Sequence, residues 1–567
     1  MSDLGSIIRK HVLKNAFDYG KVNPGSVVGK VIGEFPDAKS DMKSAMAKIN
    51  AEVARVNKLS KPEIEKEMAE FVYAKKEEES KGIEVPGAVD GQVVVRYPPE
   101  PNGWPHIGHA KAFCLSSEIA KNYHGKIILR WDDTNPEAEK PEFLNAIREG
   151  IKWLGLAWDE EVYCSDYVPQ MYKLCEQLLS QEDAYICSCS SVEIAKSRER
   201  MERCAHGSAT KSENLDSWKR MLDGKISEGE ATVRLKGDME SQNTVMRDPT
   251  IFRIISTPHY RQGKKYRVWP TYDFQGAVMD SVLGITHPIR SKEYELRDEA
   301  YVFLLEKLKL RVPRMITISR LAIKNAPISK RLLRPFVESG KLMGWDDPRL
   351  PTLAGLERRG ILPEAIRDFV LSFGISKVES EPTWEALLAK NRKLLDPISP
   401  HYFFVADPAP LEVKGLESKT IQLKKHPKKD LGTRSIEASN LLLIAGSDAT
   451  QLNSNEVFRL KDLCNVKLAE RSKNPKSLSG DLLPDEMVEK KIQWVSEKGS
   501  IDCEVLVPKD LLDANGHFDD KSLDVIHGRC EVACMEIEPG TIIQFERFGF
   551  CRLDKKSKDK LTFIFSC

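Results

Sequence analysis

The feature that most constrains this chain is a short apolar run followed almost at once by a helix start. Gln92-Val93-Val94-Val95-Arg96-Tyr97 is β-branched through its middle, with Gly91 before it and Pro98-Pro99 after it. Such a run suits a strand covered on both faces in a parallel sheet. Pro105 to Tyr123 then reads as a helix, Lys126 to Trp131 as a second strand, and Phe143 to Leu154 as a second helix. Strand, helix, strand, helix predicts a doubly wound, Rossmann-like α/β domain.

The pattern differs on either side. Residues 1–88 read as helical, because Ala45, Ile49, Val53 and Val56 share one stripe between charged positions. Glu77-Glu78-Glu79-Ser80-Lys81-Gly82 reads as a solvated linker. Thr352 to Leu395 reads as helical again. Beyond His401 the chain is strand-rich, with Thr541 to Phe548 and Leu561 to Phe565 as two strands joined by a Lys-rich turn, which predicts β-barrels. The fold class is therefore multidomain α/β plus all-β. It comprises a helical extension (1–88), a Rossmann-like domain (89–310) with an insertion at about 188–265, a helical region (311–400) and a β-barrel region (401–567). A length of 567 residues accommodates these at roughly 100–200 residues per domain.

Composition narrows the class of function. No window reaches 18 uncharged apolar residues, which excludes a membrane-spanning helix, and charge enters the N-terminus too early for a secretory signal. Twelve cysteines are too sparse for a disulfide framework, so they read as reduced, and the expected location is the cytoplasm. A net charge of +1, from 86 basic and 85 acidic residues, excludes bulk binding of nucleic acid but leaves room for an RNA held by a local basic stripe.

The chemistry concentrates in a few places. Pro101-Asn-Gly-Trp-Pro-His106-Ile-Gly108-His109 follows the first strand and opens the helix. Ligands of doubly wound sheets bind at the carboxyl ends of strands, and a helix N-terminus attracts phosphate. His106 and His109, three residues apart, share a helix face and can donate to phosphate oxygens. Gly108 lets a flat ring approach the backbone. A lone His-x-x-His pair is usually a pair of surface histidines; the strand–loop–helix context favours a ligand. Ala326-Pro327-Ile328-Ser329-Lys330-Arg331 is a short polar loop whose lysine can stabilise charge on pyrophosphate. Cys187-Ser-Cys189 and Cys204-Ala-His206, with fourteen residues between the pairs, offer a tetrahedral set for a structural zinc, against the plainer reading of free thiols. Lys424-Lys425-His426-Pro427-Lys428-Lys429 is either a phosphate-contacting patch or a solvated loop.

Several ordered blocks add a resemblance. Arg96-Tyr-Pro-Pro-Glu-Pro-Asn-Gly-Trp-Pro-His-Ile-Gly-His-Ala-Lys-Ala112, Leu129-Arg-Trp-Asp-Asp-Thr-Asn-Pro136, Pro270-Thr-Tyr-Asp-Phe274, Gly284-Ile-Thr-His287 and Gly344-Trp-Asp-Asp-Pro-Arg-Leu-Pro-Thr-Leu353 run in the order found in one family. They resemble class I aminoacyl-tRNA synthetases of the glutamyl/glutaminyl branch, most of all the archaeal-type glutamyl enzymes. His426-Pro427, Gly432 and Arg434 echo a further block, and Asn15 to Lys21 with Val27 to Phe35 resemble the archaeal helical extension. The family's Lys-Met-Ser-Lys-Ser loop has Pro327 and Ile328 in place of its first Lys and Met, with Ser329 and Lys330 kept. Trp104 also departs from the usual sequence and reads as a packing variant.

The resemblance implies a reaction and its parts. L-Glutamate attacks MgATP to give glutamyl-adenylate, which is passed to the terminal adenosine of tRNA(Glu), generally with tRNA needed for activation. It implies ATP contacts from His106, Gly108, His109, Ser329 and Lys330, of which His106, His109 and Lys330 stabilise phosphate charge. Arg96, Asp132, Tyr272 and Arg290 fall in the amino-acid pocket, with Arg96 meeting a carboxylate, Asp132 the ammonium and Tyr272 adding a hydrogen bond; the plainer reading of the first three is a salt bridge or a core tyrosine. Arg290 stands where glutaminyl enzymes carry a small uncharged residue. A guanidinium pairs with a carboxylate, and against an amide it loses on the order of 1–3 kcal/mol. The insertion is where some members bind zinc and cradle the acceptor end, the 311–400 region meets the inner stem, and the barrels read the anticodon, with Lys424, Lys425 and Arg434 as tRNA contacts. Archaeal-type members often also charge tRNA(Gln), for later amidation by a partner amidotransferase. The alternatives are a glutaminyl enzyme, against Arg290; a catalytically idle tRNA-binding scaffold, kept open by Pro327; and a truncated relative that modifies a tRNA base, against the long C-terminal region.

Overall fold

A computed structural model describes residues 3–19, 22–68, 71, 83–469 and 478–567. The chain divides into two compact units, residues 1–81 and 82–567. The expected linker over Glu77 to Gly82 lies outside the described residues.

In the first unit the described residues form the helices Leu4–Tyr19, Gly25–Glu34, Met42–Val56 and Lys61–Met68. Asp41 starts the third by accepting from Ser44 N–H, which satisfies one of the free amides of a helix N-terminus. The Ala45, Ile49, Val53 and Val56 stripe is buried, and its Ile49, Val53 and Val56 pack with Ile8, Val12 and Leu13.

The second unit is built on parallel strands. Val94–Tyr97, Lys126–Trp131 and Glu160–Tyr163 form a three-stranded parallel sheet in that order, with Val94 opposite Lys126 and Ile128 opposite Glu160. Ile289–Ser291 and Ile316–Ile318 form a separate parallel pair. The two sheets meet at Val94, whose N–H donates to Thr286 Oγ1 (2.8 Å) and whose carbonyl accepts from Thr286 N–H (2.8 Å). The single sheet expected from sequence is thus split in its hydrogen bonding, because a threonine side chain takes a ladder partner's place. Helices Ile107–Asn122 and Pro141–Trp153 follow the first two strands. Their apolar residues, including Ile107, Phe113, Ile147 and Ile151, pack with Leu129 and Trp131 and with Leu353, Ile366 and Phe369 of the later helices Leu353–Arg359 and Pro363–Leu371.

The insertion is a four-stranded antiparallel sheet, Ala184–Cys187, Thr232–Leu235, Thr250–Ile254 and Val268–Pro270, in chain order. Its last strand runs straight into helix Tyr272–Val282. Trp218, Phe252 and Phe274 fill the space between sheet and helices.

Among the described residues from His401 onward there are two seven-stranded sheets and a hairpin, Lys419–Lys424 with Thr433–Ala438. In one sheet the two edge strands are His401–Tyr402 and Phe404–Ala406; in the other they are Lys491–Ile492 and Trp494–Ser496. Each pair of edges is one extended segment interrupted at a single residue, Phe403 or Gln493, so each sheet curls back on itself. The strand expected over Thr541 to Phe548 stops at Phe545. Arg547 turns the chain with φ of 63°, and a further strand, Gly549–Lys556, pairs with both Ile542–Phe545 and Lys560–Phe565. The sequence reading missed it because Arg552 and Asp554 put charges on the face opposite the buried Cys551 and Leu553, and Lys555-Lys556 ends it in charge, so no continuous apolar run marks a strand.

Candidate active site

A cavity of about 570 Å³ opens beyond the carboxyl ends of four parallel strands. Val94–Tyr97 delivers Arg96 and the loop through Asn102; Lys126–Trp131 delivers Asp132, Thr134 and Asn135; Ile289–Ser291 delivers Arg290; and Ile316–Ile318 delivers Ser319, Arg320 and Leu321. This is where an open α/β sheet places a ligand. His106, Gly108, His109 and Tyr272 also line it.

The two histidines are held in one protonation state. His106 is the N-cap of Ile107–Asn122, and its Nδ1 accepts from Gly108 N–H (3.1 Å). His109 Nδ1 accepts from His106 N–H (3.2 Å), and the rings stand 4.0 Å apart. Burial pushes His109 down to about 4 and His106 well below the usual imidazole range. Both rings are therefore neutral at pH 7. With Nδ1 used as an acceptor, each carries its proton on Nε2. The pair offers two fixed N–H donors beside a helix N-terminus, an arrangement suited to anionic oxygens. A Cβ at Gly108 would lie 2.9 Å from His106 Cε1 and 3.3 Å from the Leu321 carbonyl, so only glycine fits here.

Arg96 and Asp132 are 3% and 6% exposed and already partnered. Arg96 donates Nε to Asp280 Oδ1 (2.8 Å) and Nη1 to the Ile289 carbonyl (2.8 Å). Asp132 accepts from Arg130 Nε (2.6 Å) and Nη2 (3.0 Å) and from Gln275 Nε2 (2.9 Å). Arg290 donates Nη1 to Asp298 Oδ1 (2.5 Å), and its guanidinium lies 5.0 Å from the Tyr301 ring centre. Tyr272 packs its ring on Tyr294 (4.8 Å). Sequence reasoning missed Asp280, Arg130 and Gln275. One signal was present: Asp280 is the sole charged residue in the otherwise uncharged stretch from Phe274 to Leu283.

Lys330 does not line the cavity. It donates Nζ to the Asn102 carbonyl (2.6 Å) and lies 4.3 Å from the Phe143 ring centre, while Ser329 is the N-cap residue of helix Lys330–Glu338. Of this loop, Ile328 reaches the cavity wall. A buried lysine that was not expected, Lys111, does line it, donating to Ser319 O (2.8 Å) and Oγ (3.0 Å).

Behind the turn 132–135 lies a buried acid pair. Asp133 accepts from Ser165 N–H (2.8 Å) and Tyr260 OH (3.0 Å), and Glu139 Oε2 lies 3.2 Å from His259 Nε2. Burial pushes Asp133 up to about 7 and Glu139 up to about 8.

In the insertion, ligand atoms of Cys187, Cys189, Cys204 and His206 lie within 4.8 Å of one another. His206 Nε2 contacts Ser188 Oγ (2.7 Å), leaving Nδ1 toward Cys189 Sγ (3.5 Å). Three thiols and one imidazole with the second ring nitrogen anchored are the donor set and outer partner that zinc takes.

The basic loop is organised by His426, whose Nδ1 accepts from the N–H groups of Lys428 (3.0 Å) and Lys429 (2.8 Å), with Lys424 exposed and Lys425 half-buried beside it. Arg434 is a correction. It is 4% exposed, shares its Nε–H between both oxygens of Glu531 (3.1 and 2.9 Å) and donates to the Lys424 carbonyl. It pins the hairpin to the neighbouring sheet and is not presented to a partner.

Comparison with known proteins agrees with this geography. The family described as tRNA synthetases class I (E and Q), catalytic domain, matches residues 92–397, and two anticodon-binding domains of the same family match 399–482 and 491–554. A glutamate–tRNA ligase of Nitrosopumilus maritimus is 41% identical over 560 residues, covering 97% of this chain and 98% of that one. One from Cenarchaeum symbiosum is 39% identical over 560 residues (98% and 99%), and one from Pyrococcus furiosus 37% over 575 residues (98% and 98%).

Proposed function

The chain belongs to the class I tRNA synthetases of the glutamate and glutamine branch, and from that premise we propose that its cavity activates L-glutamate with MgATP and transfers it to tRNA(Glu). The observation that carries this reading is Arg290, a buried guanidinium on the wall of the cavity that two neutral histidines at a helix start also line. The glutamate α-carboxylate attacks the α-phosphorus in line and pyrophosphate leaves. The Nε2–H groups of His106 and His109 stabilise phosphate charge, and Gly108 admits the adenine. Lys330 reaches the leaving pyrophosphate after releasing the Asn102 carbonyl, with Ser329 beside it. Arg96 and Arg290 meet the substrate carboxylates, Asp132 the ammonium, and Tyr272 adds a hydrogen bond. A ribose hydroxyl of the terminal adenosine of tRNA then attacks the adenylate and AMP leaves. No side chain acts as a covalent nucleophile; positioning and electrostatics supply the rate.

We read the two parallel sheets as one doubly wound domain, and the two curled C-terminal sheets as barrels that read the anticodon with Lys424 and Lys425. The insertion would cradle the acceptor end, stiffened by one structural zinc on Cys187, Cys189, Cys204 and His206. The place of action is the cytoplasm, and among the described residues no helix is long and apolar enough to cross a membrane.

Aminoacylation of purified tRNA(Glu) and tRNA(Gln), with labelled glutamate and separately glutamine, tests the reading. Glutamate on tRNA(Glu) supports it. Glutamate on both tRNAs extends it to tRNA(Gln) and implies an amidotransferase downstream. Glutamine charging overturns the role of Arg290, and tRNA binding without charging overturns the enzyme.

A further inference from the structure

Arg96 and Asp132 enter the cavity from adjacent strands, and one residue outside the cavity wall holds both. Asp280 lies on helix Tyr272–Val282 with a side chain 1% exposed. Its Oδ1 accepts from Arg96 Nε (2.8 Å) and Arg130 Nη1 (2.6 Å), and its Oδ2 from Arg96 Nη2 (3.3 Å) and Tyr301 OH (2.9 Å). An ionised carboxylate has about four acceptor sites, so Asp280 is saturated and has none for a ligand. Arg130 in turn grips both oxygens of Asp132. Two guanidinium and two carboxylate charges cancel within this buried group. Arg96 still has N–H groups to give; on Asp132, Arg130 Nε, Gln275 Nε2 and the Cys164 thiol (3.4 Å) all reach Oδ1, whereas Oδ2 takes only Arg130 Nη2 (3.0 Å) and keeps one acceptor site. Unfilled hydrogen-bonding capacity thus remains on the two members that line the cavity.

We propose that Asp280 is a positioning residue for the amino-acid substrate. It orients Arg96 directly and Asp132 through Arg130, and so sets the spacing between the group that meets a carboxylate and the group that meets the ammonium. The proposal rests on the amino-acid roles given to Arg96 and Asp132 above. An arginine side chain released from such a grip samples several rotamers, and displacement by about 1 Å can cost a site on the order of a hundredfold. A residue that only supported the fold would lower stability without separating the two small substrates.

The test is aminoacylation kinetics of the full chain with glutamate and ATP varied separately, for Asp280→Asn, Tyr301→Phe and Arg96→Ala, each checked for folding by circular dichroism. Asp280→Asn is expected to raise the KM for glutamate by about tenfold or more and the KM for ATP by no more than about twofold. Tyr301→Phe removes one of the four contacts and keeps every charge. It shifts the glutamate KM in the same direction by less, and decides the matter if Asp280→Asn does not fold. Equal changes in both KM values, or none, overturn the proposal. Arg96→Ala separates the two ideas. An unchanged glutamate KM there defeats the pocket assignment itself. A raised KM there, with Asp280→Asn and Tyr301→Phe silent, defeats only the role of Asp280.

Discussion

Around the cavity, Arg96 and Arg130 share Asp280; in the C-terminal region, Arg434 shares its Nε–H between the two oxygens of Glu531. Both sets are buried guanidinium–carboxylate pairs with side chains at most 2% exposed. Their surroundings differ. Arg96 borders a cavity and retains donors, whereas Arg434 lies against Tyr402 and Phe403, with ring centres 5.6 and 5.2 Å away, and lines no part of that cavity. Burial and pairing alone do not mark a functional charge. A buried charge becomes a candidate for binding where it has capacity left over and a space to use it.

Four measurements probe this contrast. Arg434→Ala leaves Glu531 buried without its cation and should destabilise the C-terminal region by about 3–5 kcal/mol in denaturant unfolding. The glutamate KM should stay the same; a shift in it would erase the distinction between the two sets. His109→Ala removes one fixed donor near the phosphates and should lower kcat for tRNA-dependent pyrophosphate exchange by about 10²–10³-fold. Its unfolding curve should move less than that of Arg434→Ala. Arg290→Gln should lower kcat/KM for glutamate by about ten- to a hundredfold, from the loss of one charge-assisted contact; an unchanged value would move Arg290 into the purely structural class with Arg434.

The smallest effect concerns pH. Glu139 titrates at about 8 in the folded chain, far above an ordinary glutamate, so the folded state holds a proton that the unfolded state has lost. That contribution is full at acid pH and is lost as pH rises toward 8. His109, at about 4, works oppositely: its contribution is full above the unfolded value near 6.5 and is lost as pH falls toward 4. Above pH 6.5 the acid contribution acts without that opposition. The melting temperature should therefore fall between pH 6.5 and 8.5, and Glu139→Gln should fall less over the same range. Asp133, at about 7, keeps some slope in both proteins. A steeper fall in the variant would overturn the burial argument.

Much of the cavity was legible because its residues sit at strand ends and a helix start, which local pattern reveals. Arg96 follows the β-branched run, His106 to His109 open a helix, and Asp132 ends the second strand. Asp280, Lys111 and Arg130 were not legible as site residues. Their meaning comes from partners about 150 to 210 positions away, as with Arg130 and Asp280 or Lys111 and Ser319. The two cysteine-bearing pairs stood out because their spacing is local, while Arg434 looked like a surface cation because nothing nearby in sequence announces Glu531.

The sequence alone fixes the first two parallel strands, the helix that His106 caps, the paired Cys and His donors and the strand-rich C-terminal third. These follow from side-chain periodicity and short spacings, which act within a few residues. Tertiary structure decided the charge state of the cavity. It made both histidines neutral, matched Arg96 and Arg130 to Asp132 and Asp280, parked Lys330 on the Asn102 carbonyl and buried Arg434 against Glu531. Desolvation and ion pairing depend on what packs around a group in space, and a linear pattern does not carry that information.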